Sequence, residues 1–162
     1  MAQPIITIEI KGAEKLAAVA RPELVLGPTS RVIRDVALLA ERTAKTATPV
    51  DTGALRRSIS AQIKPLEARV GNTRGLVYFE VQELGRRPGK MPPPSALAGW
   101  AKRHGFGTSA GALFVLARSI ARRGFKGRFF MRKGRRAVER RLPHVLKRAA
   151  SDIEKSWGRG RL

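Results

Sequence analysis

The stretch from Thr29 to Pro49 restricts the fold more than any other part of this chain. Val32, Ile33, Val36, Leu39, Ala40, Ala44 and Ala47 recur at three- and four-residue intervals, which sets them on one stripe of an α-helix. Arg34, Asp35, Glu41, Arg42 and Lys45 fall mostly on the other side. Thr29 and Ser30 are N-cap residue types, so the spacing predicts a helix from there to about Thr46, stopped by Pro49. A helix with one apolar face must bury it against another layer, and the flanking sequence offers strands.

Ile6, Ile8 and Ile10 alternate with Thr7 and Glu9, a strand with one buried face that Gly12 ends. Ala13 to Ala20 reads as a short helix, and Leu24 to Pro28 as a connection. Thr48-Pro49-Val50-Asp51-Thr52-Gly53 is rich in turn residues. Asp51 can bond backbone two residues on, and Gly53 can take positive φ. Asp51 or Thr52 could equally cap a helical turn through Leu55. Ile59 to Ile63 and Leu66 to Val70 read as strands, residues 71–75 as a turn, and Leu76 to Leu84 as a third strand. Together they form an antiparallel meander.

Residues 85–94 form a basic loop rich in proline and glycine, and residues 105–111 and 124–134 form flexible loops. Between them, Ser95 caps a short helix with Leu97, Trp100, Ala101 and His104 inward. Ala112 to Arg123 is a second helix, with Leu113, Leu116, Ala117 and Ile120 on one face. A last helix reaches Trp157 along Val138, Leu142, Val145, Leu146, Ala149 and Ile153. Pro143 means that it either starts near Leu142 or kinks there. The expectation is one α+β domain over residues 1–162. It has a small, mostly antiparallel sheet, packed by a long helix in the N-terminal half and a long C-terminal helix.

Charge divides the chain. Its 33 basic and 12 acidic side chains give a net +21. Residues 1–85 hold 12 basic and 9 acidic groups, whereas residues 86–162 hold 21 and 3. A segment so cationic calls for polyanion, an acidic partner or a membrane surface. Arginine outnumbers lysine 23 to 10, a bias that phosphate or carboxylate binding explains and that a GC-rich genome explains as well. Cysteine is absent, which excludes disulfides, thiol catalysis and cysteine zinc sites. The N-terminal residues lack the basic start and apolar run of a signal peptide. The longest apolar run, Ala112 to Ala117, is too short to span a bilayer.

No catalytic set emerges. His104 and His144 lack the spacing of a metal pair. The acids of the second half are Glu139, Asp152 and Glu154, and the last two sit on a helix among Lys and Arg and read as ion-pair partners. Gly85 to Lys90 lacks the gap and the Ser or Thr of a phosphate loop. The chain is therefore expected to be no enzyme, with no cofactor and no metal. The strongest positive feature is the basic run Arg118, Arg122, Arg123, Lys126, Arg128, Arg132, Lys133, Arg135 and Arg136, interleaved with Phe125, Phe129 and Phe130. Basic and aromatic side chains together can hold single-stranded nucleic acid. The phenylalanines can also simply pack in a core, leaving the charge for duplex backbone or an acidic partner.

One segment has a more specific likeness. Thr48, Pro49, Asp51, Thr52, Gly53, Leu55, Arg56 and Ser58 reproduce a pattern of Pro, Asp-Thr-Gly, Leu-Arg and Ser lying between a long helix and a strand. In this the chain resembles the tail-component family of tailed bacteriophages, which includes tail-completion and head–tail joining proteins. Tyr78 to Gly85, including Glu83, is similar to the family's aromatic strand ending in Glu, an apolar residue and Gly. Ile120 to Gly124 with Arg128, Phe129 and Phe130 is similar to its later Ile-x-x-x-Gly and Pro-Phe segment. Arg128 stands where proline is usual, and Lys133-Gly134 replaces Pro-Ala.

The resemblance implies a structural virion protein of the phage neck. Such a protein is assembled in the bacterial host cytoplasm and forms a ring, commonly a hexamer, around the DNA channel. Its implied partners are copies of itself, the head connector or stopper, and the tail tube or tail terminator. DNA would be contacted without sequence preference, and no membrane is involved. Arg118, Arg122, Arg123, Lys126 and Arg128 are the residues expected to face channel or partner. Glu83, Gly85, Arg86, Arg87, Phe129 and Phe130 are expected to make loop contacts. The alternatives are a tail terminator capping the tube and, in another class, a cytoplasmic non-specific nucleic-acid-binding protein. A basic membrane-surface protein is a weaker one.

Overall fold

The computed structural model describes residues 5–19 and 22–159. The chain is α+β, a small antiparallel sheet packed by two long helices. It groups into two compact units. The first unit is built from the N-terminal residues through Leu76 and from Phe129 onward, and the second from Val77–Arg128.

In the first unit, β1 (Ile6–Glu9), β2 (Ile59–Ile63) and β3 (Glu67–Asn72) lie in the order β1-β3-β2. Both pairings are antiparallel, with Ile6 opposite Val70 and Ala61 opposite Val70 on the two sides of β3. Ile59, Ala68 and Val70 are buried. The short helix α1 (Ala13–Val19) follows β1, and the far end of its predicted span, Ala20, lies outside the described residues. Ala13 and Ala17 pack with Val25, beside Ile10, Leu26 and Leu66.

The long helix α2 spans Pro22–Ala47; of the predicted stripe Val32, Ile33, Val36, Ala40 and Ala44 are buried, with Ala37 beside them, while Leu39 and Ala47 are only half-buried. Its start corrects the expectation that Thr29 or Ser30 caps it and that Leu24 to Pro28 connects to it. Pro28 lies inside the helix. The missing N–H of Pro28 removes the helical bond to the Leu24 carbonyl, and the Thr29 hydroxyl donates to the next carbonyl, that of Val25, at 2.7 Å. Val25, Pro28 and Thr29 are all buried, so the apolar stripe continues across the proline and outweighs it.

The C-terminal helix α7 runs unbroken over Phe130–Arg159 with Pro143 inside. It neither begins at Leu142 nor leaves residues 124–134 as one loop. Gly134 is buried in it, and a Cβ there would lie 2.8 Å from the Ala40 carbonyl oxygen of α2. The glycine thus lets the two helix backbones come close.

In the second unit, the predicted third strand is instead a helix, α4 (Phe79–Leu84). Phe79 and Glu83 are its buried residues, one helical turn apart, whereas a strand would put Val81 on the same face and Val81 is only half-buried. The meander therefore has only two of its predicted strands, and β1 fills the third position. Gly85 ends α4 at φ 84°, its N–H donating to Val81. A 3-10 helix at Pro94–Leu97 leads into α5 (Ala98–Arg103). Ser95 does not cap it, for the residue before the first turn is Pro93. Only Ala101 of the expected inward set is buried, and Trp100 and His104 are exposed. The helix α6 spans Ala110–Arg123, with the Ser109 hydroxyl accepting from the Ala112 N–H at 3.3 Å. It takes the last residues of the loop expected at 105–111.

Candidate functional site

The exposed cations of the second unit are gathered by a short ribbon. β4 (Gly85–Arg86) pairs antiparallel with β5 (Phe125–Lys126), joining the end of α4 to the end of α6. The Gly89 N–H donates to Ala121 at 2.8 Å and the Arg128 N–H to Gln82 at 2.9 Å, extending the connection beyond both strands. Three glycines make this approach possible. A Cβ on Gly85 would run into Gly127, one on Gly124 into the Arg86 carbonyl, and one on Gly127 into the Glu83 carbonyl. Gly85 and Gly124 also have φ of 84° and 61°, a backbone that L side chains disfavour.

The ribbon brings together Arg118, Arg122 and Arg123 of α6 with Arg87, Lys126 and Arg128, all exposed. Arg118 and Arg122 lie one turn apart with Phe114 one turn before them, and this row is the outer face of α6. Arg122 and Arg123 occupy the last turn, where cations are favoured by the helix dipole. Arg118, Arg122, Arg123, Lys126 and Arg128 have no side-chain ion pair or hydrogen bond among the described residues. Arg86 is the exception, half-buried and donating to the Lys90 carbonyl. Five unpaired cations in so short a space repel one another, and a polyanion or a carboxylate-rich surface would relieve that repulsion.

The remaining loop residues are placed differently. Glu83 is 3% exposed and Phe130 fully buried, so they stand in packed interior. Phe129 has φ 53°, and the Arg132 guanidinium lies 4.3 Å from its ring centre, a cation–π contact. The basic run splits at this point, residues 118–128 belonging to the second unit and 129–136 to the first. Sequence reasoning did not single out the stack in which Trp100 lies against His104 at 4.4 Å and Phe106 at 5.2 Å. Trp100 lies on α5 and His104 is the residue that caps its C-terminus, four positions on, and that spacing was the signal.

The Asp-Thr-Gly segment is a structural switch. Thr48 is buried and its hydroxyl donates to Ala44 at 2.7 Å, ending α2. Asp51 and Thr52 are exposed, and Gly53 takes φ 76° ahead of α3 (Ala54–Ser58). The N-cap is Gly53, with no side-chain cap bond, rather than Asp51 or Thr52. Arg57 reaches back to the Thr52 carbonyl at 3.1 Å. Leu55 plugs the core at 6% exposure, and Arg56 points to solvent. Ser58 is fully buried, its hydroxyl donating to Leu55 at 2.8 Å while its own carbonyl accepts from the Thr73 N–H at 2.9 Å. Ser58→Val should destabilise the chain by about 1–3 kcal/mol, because it both loses a buried hydrogen bond and overpacks the site. A urea midpoint unchanged from wild type would show that the serine is not held this tightly.

One further contact bears on the sheet. The Glu41 carboxylate of α2 accepts from the Ala61 N–H of the edge strand β2 at 2.9 Å and also pairs with Lys45.

Among the described residues no group of three or more His, Asp or Glu is placed to hold a metal. No described helix is long and apolar enough to cross a membrane. The chain matches no family model, no curated protein and no solved structure.

Proposed function

We propose that the protein is a structural component of a tailed-phage neck, joining tail to head as one subunit of a ring around the DNA channel. The observation that supports this reading best is the exposed, unpaired cluster of Arg118, Arg122 and Arg123 on α6 with Lys126 and Arg128, at the glycine-dependent β4–β5 ribbon. A rigid, positively charged surface with no base-reading motif suits a wall along which DNA slides, or a contact with an acidic neighbouring ring. The Asp-Thr-Gly segment adds to it, since it makes the helix-to-strand switch that the resemblance implies. The chemistry is binding only. Arginines without fixed partners can exchange phosphates with little reorganisation.

The same cluster is what a free, non-specific nucleic-acid-binding protein would use, and a tail terminator would need a ring as well. Native mass spectrometry over a concentration series tests the reading. A closed ring of one stoichiometry is the expected result. A chain that stays monomeric and binds duplex DNA with a steep salt dependence overturns it in favour of the free nucleic-acid binder. Arg118→Glu with Arg122→Glu should reduce the salt slope of any DNA binding by about 2, at roughly 0.9 per phosphate contact, with the circular dichroism spectrum preserved.

A further inference from the structure

A groove of about 830 Å³ runs between α2 and α7 within the first unit. Its floor is apolar: Val32 and Val36 are buried, and Leu39, Val145 and Ala149 are half-buried. Leu38 stands at its lip, 49% exposed. The rim is cationic, carrying Arg31, Arg42, Arg56, Arg141 and Arg148. These five arginines have no side-chain partner among the described residues. The acids facing them are Asp35, Glu41 and Asp152, and Glu41 is already held by Lys45 and the Ala61 amide.

We propose that this groove docks an acidic amphipathic helix of another protein, its apolar stripe on the floor and its carboxylates against the arginine rim. The shape and lining are those of helix-in-groove recognition, in which anchors at i, i+3, i+4 and i+7 enter an apolar cleft. Charge selects among occupants. Duplex DNA would satisfy the rim but leave the floor uncovered, because its outer surface is phosphate and sugar. A second copy of this chain is a poor fit, since its helices carry few free carboxylates beside apolar residues. In the sequence Glu14 stands next to Lys15 on α1 and Glu154 next to Lys155 on α7, and α4 offers only Glu80, with Glu83 buried. Arginine suits the rim because its planar fork binds carboxylates bidentately. The proposal stands on the α2–α7 groove alone and holds whether or not the protein belongs to a virion.

The test uses the full chain and a fluorescein-labelled synthetic helix with leucines at i, i+3, i+4 and i+7 and glutamates elsewhere. A scrambled peptide of equal charge, with the stripe broken, is the control. The expected result is that the amphipathic peptide binds at least tenfold more tightly than the scramble. Arg42→Glu with Arg148→Glu should weaken it by tenfold or more, and so should Leu38→Gln with Val145→Gln, whose side chains are not fully buried. Arg118→Glu with Arg122→Glu should leave it within about twofold. Equal binding of the scramble, or an equal loss from the α6 reversal, overturns the proposal, since the peptide is then held by charge at large. Loss of duplex DNA binding from the groove reversals without loss of peptide binding overturns it as well, and makes the groove a DNA site. Circular dichroism of each variant separates these outcomes from unfolding.

Discussion

Phe130→Ala should lower stability by about 3–5 kcal/mol, the range for deleting a fully buried phenylalanine. Phe130 has no exposed surface and is the first residue of α7. Its ring is set by an uncommon backbone, since Phe129 before it has φ 53°. The loss combines transfer of the ring with the cavity left behind, and a helix already tied to α2 through Gly134 cannot collapse freely into that space. A domain of ordinary stability has only about 5–15 kcal/mol in all, so the substitution removes a large share of it. Thermal unfolding should show a midpoint lowered on the order of 10 °C. A shift of only a degree or two would place Phe130 outside the cooperative core. It would also revive the idea that the ring is kept for contact with a ligand.

Gly124→Ala is the second large effect, and it is local. The residue has φ 61° and ψ −159°, a region that is essentially glycine's own and costs other residues of order 1–3 kcal/mol. The new methyl would also overlap the Arg86 carbonyl, so the β4–β5 pairing has to open. Hydrogen exchange reads this directly. The Gly89 and Arg128 amides, bonded to Ala121 and Gln82, should lose about 100-fold of protection, equivalent to roughly 3 kcal/mol. Amides of β2 and β3 should be unaffected. Unchanged protection at Gly89 would mean that the ribbon does not depend on this close approach. Because the ribbon gathers Arg87, Arg122 and Lys126, any anion binding by the cluster should weaken along with it.

These two positions also show what sequence could and could not reveal. The α2 stripe was legible because its buried residues repeat at helical intervals, and β1 and β2 because apolar residues alternate along them. The reach of α2 back to Pro22 was not. Proline and Thr29 have strong local meanings, and a buried face overrode both. Leu76 to Leu84 failed for the opposite reason: its aromatic and β-branched residues favour a strand, yet Val81, which a strand would set on the face of Phe79 and Glu83, is not buried with them. The ribbon joins segments about forty residues apart in the sequence, and a glycine needed for a distant backbone looks no different from one in a turn. The basic cluster was visible as composition. That its arginines lack internal partners, and that others rim an apolar groove, appears only in three dimensions.

Glu41 gives the sheet two unlike borders. Along β2 a carboxylate already holds the Ala61 amide, and an incoming strand would have to evict it, forfeiting a charged hydrogen bond of about 1.5–3 kcal/mol. Along β1 no such guard stands among the described residues. A protein guarded on one border and open on the other is protected against endless stacking. Two copies meeting along β1 would close as a pair. A larger assembly built strand to strand would have to displace Glu41 from the Ala61 amide in every subunit, a cost that helical and loop surfaces do not carry.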